Sequence, residues 1–417
     1  MDARRTTRAI VRAVTALASA AALVATGFAW SLQHQVDTGV VSSTAAIPTP
    51  RPTRPGEPFT ALLVGLDART DAHGNPLPPA MLDALHAGPD EGQLHTDTII
   101  LLHVPDDPGA RAVAISIPRD SFVPIAGGRG THKINSAYRR GMQDAQEALR
   151  AQGIEGPELD RRGREAGRRT LVATVEQLTG VSIDHFAEIG MAGFVELTEA
   201  LGGVPVCLNN PVRDSYSGLD LPAGHHLVSG PGALAFVRQR HGLEDGDLDR
   251  ITRQQAFAAG LAQRVLAPST ITDPARLQRL VDIATRYVVL DSGWDLDQVL
   301  SQMRLLSTQQ LAFHTIPTGR PDLRTPVDGI AVEIDRDAVR AFVLGLIGPG
   351  APAAAPAPTA RPSAPSAVPS TSPPTSARPV TDDDPLTVRP ADAPETSTPV
   401  PTSEHPVIVA EGVPCVD

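Results

Sequence analysis

The chain has 417 residues, a formal net charge of −11, 41% hydrophobic residues and only 3% aromatic ones. That length holds one large domain or two medium ones with appendages. The acidic balance and the scarcity of rings argue against a nucleic-acid partner, which needs a basic surface and stacking platforms.

The N-terminus reads as a targeting element. A basic segment at 1–12 carries Arg4, Arg5, Arg8 and Arg12, and an uncharged run follows from Ala13 to Gln33. A run near 20 residues spans a bilayer core, and the preceding arginines favour a cytoplasmic N-terminus. The expected localisation is therefore a single-pass cell-membrane protein with an extracytoplasmic domain. A cleaved signal peptide is the alternative, because Ala18-Ser19-Ala20 resembles a cleavage site, but too short an apolar core precedes it. No cysteine lies near the anchor, which excludes a lipoprotein. Residues 34–57, ending in PTPRPTRPGEP, read as a Pro-rich tether.

Globular sequence then begins sharply. Phe59–Leu66, Thr98–Val104 and Ala112–Ile117 are short, apolar, β-branched runs, as expected of strands in a covered sheet. Helical periodicity marks Ser136–Ala151, Arg169–Thr179, Ala192–Leu201 and Asp249–Leu266. Further strands are expected at Asp184–Ile189 and Val204–Leu208. Helices near Pro274–Tyr287 and Leu296–Ser307 and a strand near Leu311–Ile316 complete the domain by about Gly348. This alternation predicts an α/β layered domain over 58–348. Residues 349–405, rich in Pro, Ala, Ser and Thr, cannot bury a core and read as a disordered linker. The last segment, 406–417, is apolar again and carries a cysteine.

Cys207 and Cys415 are the two cysteines, with no CxxC pair and no zinc-ligand spacing. An oxidising compartment permits a disulfide between them; two separate thiols are the alternative. Lys133 is the single lysine in an arginine-biased chain.

Four segments place charge where a strand or helix ends: Gly65-Leu66-Asp67-Ala68-Arg69; Thr96-Asp97-Thr98; Ile117-Pro118-Arg119-Asp120, followed by Lys133-Ile134-Asn135; and Arg238-Gln239-Arg240, followed by 246–255. Ligands of open α/β sheets bind beyond strand ends. Asp67 and Asp97 are hard oxygen donors of the kind magnesium takes when phosphates complete its shell. Arg69, Arg119, Arg238, Arg240, Arg250 and Arg253 offer forks suited to phosphate. Arg250, Arg253 and Gln254 have the spacing of one helical face, with Asp247 and Asp249 preceding that helix as candidate caps. Taken singly, each has a plain structural reading as turn former, cap or solvated face; together they argue for a phosphate site. There is no GxSxG elbow, no HExxH and no complete phosphate loop at Gly127-Gly128-Arg129-Gly130. His225-His226 reads as loop surface.

In this order GLDAR, TDTIILLHV, AISIPRDSFVPI, HKINSAY, ALGGVPV, LPAGHHLVSGPGALAFVRQR and GDLDRITRQQ resemble the LytR-CpsA-Psr family of envelope glycopolymer transferases. The resemblance runs from about Phe59 to Leu266 and more weakly to about Gly348. It implies a three-layer α-β-α fold with a mixed central sheet and a polyprenyl pyrophosphate ligand. It also implies transfer of a phospho-glycopolymer to a peptidoglycan sugar hydroxyl, with magnesium (or manganese) as cofactor. By position, Asp67 and Asp97 match the metal ligands. Arg119, Arg238, Arg240, Arg250 and Gln254 match pyrophosphate-side positions, with Arg69, Lys133 and Arg253 beside them, and Asp247 matches the acidic residue of the last motif. Among these, Asp67, Arg119, Asp247 and Arg250 are the expected catalytic set, and Asp120 and Asp247 are candidates for general base. Asp249 stands where the family commonly has Gly. His95 stands where the family commonly has an Arg that touches phosphate, and a histidine is charged only part of the time near neutral pH. The insertion from about Thr70 to Leu94 is long enough for a lid or a polymer-contacting loop. A lipid pyrophosphatase and a non-catalytic envelope-binding or regulatory protein are the rival functions.

Overall fold

The computed structural model of the chain describes residues 30–47, 57–88, 94–107, 109–239, 247–294, 311–348, 408–409 and 414–416, with isolated positions at 15, 19, 23, 26–28, 302 and 306. Arg240, the linker at 349–405, most of the expected helix at Leu296–Ser307 and most of the expected anchor at 13–33 lie outside these residues. Among the described residues no helix is long and apolar enough to cross a membrane.

The main sheet is built from β1 (Val41–Ser43), β2 (Phe59–Leu66), β3 (Thr96–Val104), β4 (Ala112–Ser116), β5 (His185–Gly190), β6 (Val288–Asp291), β7 (Leu311–Thr315) and β8 (Ile408–Val409). Its order is β1-β6-β5-β2-β3-β4-β7-β8. β2 pairs in parallel with β5 and antiparallel with β3, and β3 pairs antiparallel with β4, so the sheet is mixed.

Among the described residues after 57 the α-helices are α1 (Pro79–Ala84), α2 (Ala137–Arg150), α3 (Gly156–Thr179), α4 (Met191–Ala200), α5 (Gly230–Arg238), α6 (Asp247–Val265), α7 (Pro268–Ile271), α8 (Pro274–Tyr287) and α9 (Arg336–Ile347). The period-2 alternation of a strand sends neighbouring side chains to opposite faces. Leu62, Val64, Ile99, Leu101, Val113 and Ile115 accordingly enter one core with α2, α3 and α9. Phe59, Ala61, Val104, Ala112 and Ala114 enter another with α5 and α6. Strands buried on both faces have to be apolar throughout, which is how they read in the sequence.

Several differences from the sequence reading have local causes. α3 starts at Gly156 rather than near Arg169, because its first half is rich in Arg, Glu and Gly and carries no apolar stripe, although it buries Leu159, Gly163 and Gly167. Its glycines admit α2: a Cβ on Gly167 would lie 2.8 Å from the Tyr138 carbonyl oxygen. α6 starts at Asp247, so Asp247 and Asp249 sit inside its first turn rather than ahead of it. His225 and His226 lie on a strand, Gly224–Val228, antiparallel to Val204–Leu208. The tether is not extended throughout: its residues 34–39 are helical, and β1 adds to the sheet edge beside β6. Glu165 fastens this part, accepting from Ser43 Oγ at 2.8 Å and Ala45 N at 3.0 Å, while Ala46 and Ile47 are buried.

Candidate functional site

Strand direction assembles the site. β3 runs against both β2 and β4, so its first residues lie at the same sheet edge as the last residues of its neighbours; the register pairs Leu66 with Thr96 and Ile100 with Ser116. Asp67 follows the end of β2, Asp97 opens β3 and Arg119 follows β4. The approach is close: a Cβ on Gly65 would meet the Thr98 side chain at 3.0 Å.

These residues line a cavity of about 420 Å³, within the range of small-molecule sites. Arg69 and Arg238 close on Asp67, at 2.9 and 3.4 Å. Arg119 Nη1 donates to Asp97 at 2.6 Å. Arg250 and Gln254, one turn apart on α6, complete the polar wall. Arginines outnumber carboxylates four to three in the lining, with Asp214 the third acid. Arg69 Nε is shielded from water with no hydrogen-bond partner. Burial, helped by Arg69 and Arg119, holds Arg238 below the ordinary guanidinium range, while Asp67 and Asp97 oppose the shift. The guanidinium stays charged at any physiological pH. Crowded cations with an orphaned donor are what a multiply charged oxyanion relieves.

The remaining wall is apolar: Met191 and Phe194 from α4, and Pro231, Leu234, Ala235 and Val237 from α5. One cavity therefore joins a cationic floor to a greasy wall. Nothing in the sequence pattern marked those apolar residues, because they read as ordinary helix faces.

The insertion after Arg69 packs over the site as a strap. Arg69 Nη2 donates to the Ala87 carbonyl at 2.7 Å, and Arg238 Nη1 to the Leu85 carbonyl at 3.0 Å. Arg238 Nη2 also contacts Met191 Sδ. Across the cavity mouth lies the turn Asp214–Gly218, whose Asp214, Tyr216 and Ser217 join the lining. Sequence reasoning missed these three and His86; a polar turn between two short strands carries no distinguishing pattern.

Other expected site residues sit apart. Arg253 does not reach the cavity: it is fully buried, its guanidinium 5.2 Å from the Phe236 ring centre. The three-residue offset from Arg250 turns it toward α5 and the core, so the shared face holds for Arg250 and Gln254 alone. Lys133 and Asp120 form an ion pair of 3.3 Å behind Arg119 and do not line the cavity. That pairing places Asp120 in a bracing position rather than against the cavity, where a general base belongs. His95 also stands behind the lining. Burial first, and Arg139 second, hold its imidazole below the usual value, so it is neutral at pH 7. The helical backbone at Asp247 is described, but its side chain, like Arg240, is outside the described residues.

Asp67 and Asp97 present hard carboxylate oxygens to one cavity, a donor set that fits a hard dication whose other ligands are phosphate oxygens. Among the described residues the one tight cluster of potential ligands is Cys207, His225 and Cys415, and there the sulfurs are joined to each other.

Comparison with known proteins identifies the family and the fold. The model of the LytR_cpsA_psr family matches residues 30–340. The cell wall biosynthesis protein LcpA of Corynebacterium glutamicum is 41% identical over 350 residues, 82% of this chain and 67% of that protein. The polyisoprenyl-teichoic acid–peptidoglycan teichoic acid transferase TagU of Oceanobacillus iheyensis is 33% identical over 205 residues, 49% of this chain. The match spans only 56% of that transferase. The crystal structure of Bacillus subtilis TagV shares the fold, with a TM-score of 0.50 at 21% identity over 71% of this chain and 98% of that one.

Proposed function

The chain belongs to the LytR-CpsA-Psr family, and from that premise we propose that it transfers a phospho-glycopolymer from a polyprenyl pyrophosphate carrier to a peptidoglycan sugar hydroxyl, forming a phosphodiester. The observation that carries the proposal is the single cavity with arginines and aspartates at one end and α4–α5 apolar side chains along the other. A prenyl pyrophosphate is amphipathic in the same sense.

In this reading Arg69, Arg119, Arg238 and Arg250 hold the pyrophosphate oxygens, and Gln254 adds an amide donor. Asp67 and Asp97 would hold magnesium, which would supply neutralisation of phosphate charge. The acceptor oxygen bonds to the phosphorus that bears the glycan, the bond from that phosphorus to the bridging oxygen breaks, and the carrier leaves as polyprenyl phosphate. Negative charge grows on the bridging oxygen, so cations fixed there beforehand favour the transition state over the bound substrate. The strap carbonyls and Asp67 hold two of those guanidinia in place before substrate arrives. The acceptor's proton passes to a base for which Asp247 is the remaining candidate. An anchor at 13–33 would keep the domain on the outer membrane face, where carrier and peptidoglycan meet.

The test uses full-length protein in detergent with magnesium, a glycan on polyprenyl pyrophosphate and a peptidoglycan oligosaccharide, with products read by mass spectrometry. A phosphodiester-linked conjugate is expected, and Asp67→Ala should slow its formation about 100-fold to 1,000-fold. Free phospho-glycan without conjugate would make the protein a lipid pyrophosphatase. Wild-type turnover in Asp67→Ala would remove the metal assignment.

A further inference from the structure

Aromatic residues make up only 3% of the chain. Two of its three tyrosines, Tyr138 and Tyr287, are buried at 0% and 3% exposure. Tyr216 is 76% exposed and lines the mouth of the cationic cavity. A ring this exposed at the rim of a site gains little from burial.

The ring is held by a set turn. Asp214 is buried, its Oδ1 accepts from Tyr216 N at 2.9 Å, and its carbonyl accepts from Gly218 N at 2.9 Å. Gly218 takes φ +79°, a conformation glycine adopts without strain. Next to Tyr216, the Ser217 hydroxyl is shielded from water and has no hydrogen-bond partner. Leaving such a group unsatisfied is costly, and a ligand hydroxyl removes the cost. His86 faces this turn from the strap: a Cβ on Gly218 would lie 3.7 Å from its Cε1.

We propose that Tyr216, with Ser217 and Asp214 beside it and His86 opposite, is a pyranose-binding subsite at the cavity mouth. A sugar ring offers an apolar C–H face and equatorial hydroxyls. A phenol ring suits the first, since Tyr joins an apolar body to a polar tip. A hydroxyl, a carboxylate and an imidazole suit the second. The inference rests on the proposed transfer reaction, in which one sugar is bonded to the pyrophosphate and another supplies the acceptor hydroxyl. Either sugar has to extend from the pyrophosphate toward solvent, and Tyr216 is the exposed ring in the lining of the same cavity.

The experiment compares full-length wild type, Tyr216→Ala and Tyr216→Phe by calorimetry with three probes. These are geranylgeranyl pyrophosphate, the same pyrophosphate carrying one N-acetylglucosamine, and a peptidoglycan oligosaccharide. Because Tyr216 is exposed, neither substitution disturbs packing. Loss of one stacking contact corresponds to about a 2-fold to 12-fold loss of affinity. We expect that loss for the sugar-bearing pyrophosphate in Tyr216→Ala, recovery in Tyr216→Phe, and no change for the sugar-free probe. The same pattern on the oligosaccharide instead would assign the subsite to the acceptor's pyranose. Equal affinities across all three proteins for both sugar probes would overturn the subsite while leaving the pyrophosphate site intact. A wild type that binds neither pyrophosphate would fail earlier, taking the proposed function and the subsite with it.

Discussion

Arg69 shows how little a residue type says about its role. Its Nη1 is on Asp67, its Nη2 on the Ala87 carbonyl, and its Nε is without a partner. Arg253, an equally plausible phosphate ligand by spacing, lies under Phe236 instead. Position 95 is a further case: in the sequence it is a partly charged substitute for arginine, whereas burial and the field of Arg139 make the imidazole neutral. Two other histidines, His103 and His314, are likewise held below the ordinary imidazole value, chiefly by burial. The unfolded chain titrates near 6.5, so above that pH both states are neutral and these residues leave stability unchanged. Below it the unfolded chain takes up protons first, and stability is lost until the folded imidazoles titrate as well. The melting temperature should therefore fall between pH 7 and pH 5, and less steeply for His314→Leu than for wild type. Parallel melting curves would remove His314 from this account.

At the scale of elements, the strap is the part most particular to this chain. His86 is the only non-glycine with positive φ among the described residues, at 48°. Its two neighbours direct their carbonyls at Arg238 and Arg69. Leu85 and Ala87 are buried against Met191, Leu234 and Ile283, which fixes the strap from behind. Proline cannot adopt that φ, whereas glycine can. His86→Pro should weaken geranylgeranyl pyrophosphate binding about 10-fold or more, by analogy with the loss of oriented guanidinium donors. His86→Gly should preserve sugar-free binding, because both carbonyls stay in place. Equal binding by the Pro variant, at an unchanged melting temperature, would show the strap to be inert. The strands and α8 were legible because apolar runs and a Pro274 start carry their own signal; Asp273 caps α8 by accepting from Ala275 N and Arg276 N. α5 was missed because GPGALAFVR is short, glycine-rich and buried along much of its length.

Across the whole molecule, the last described residues are tied to its middle. Cys415 and Val416 pair in parallel with Cys207 and Leu208, and a disulfide joins Cys207 to Cys415. It closes a loop of 208 residues, and a link of this kind contributes about 2–5 kcal/mol by restricting the unfolded chain. Cys415 is exposed and Cys207 is buried. Cys415→Ser therefore tests the crosslink with little loss of packing. It should lower unfolding stability in urea by that amount, and added reductant should then have no further effect. A wild type equally stable with and without reductant would assign the link no energetic role.

The sequence by itself determined the layered α/β class, the position of most sheet strands, and the identity of Asp67, Asp97, Arg119, Arg238, Arg250 and Gln254 as one chemical set. Local periodicity and charge at strand ends carry that much, since both are properties of a few consecutive residues. Only the tertiary structure decided which candidates meet. The antiparallel run of β3 brings Asp97 to Asp67 and Arg119, one step around α6 removes Arg253, and the Asp120 pair with Lys133 stands behind the cavity. The strap over the arginines, the apolar wall and the Tyr216 rim are made by residues far apart in the chain, and contacts at that range leave no local pattern to read.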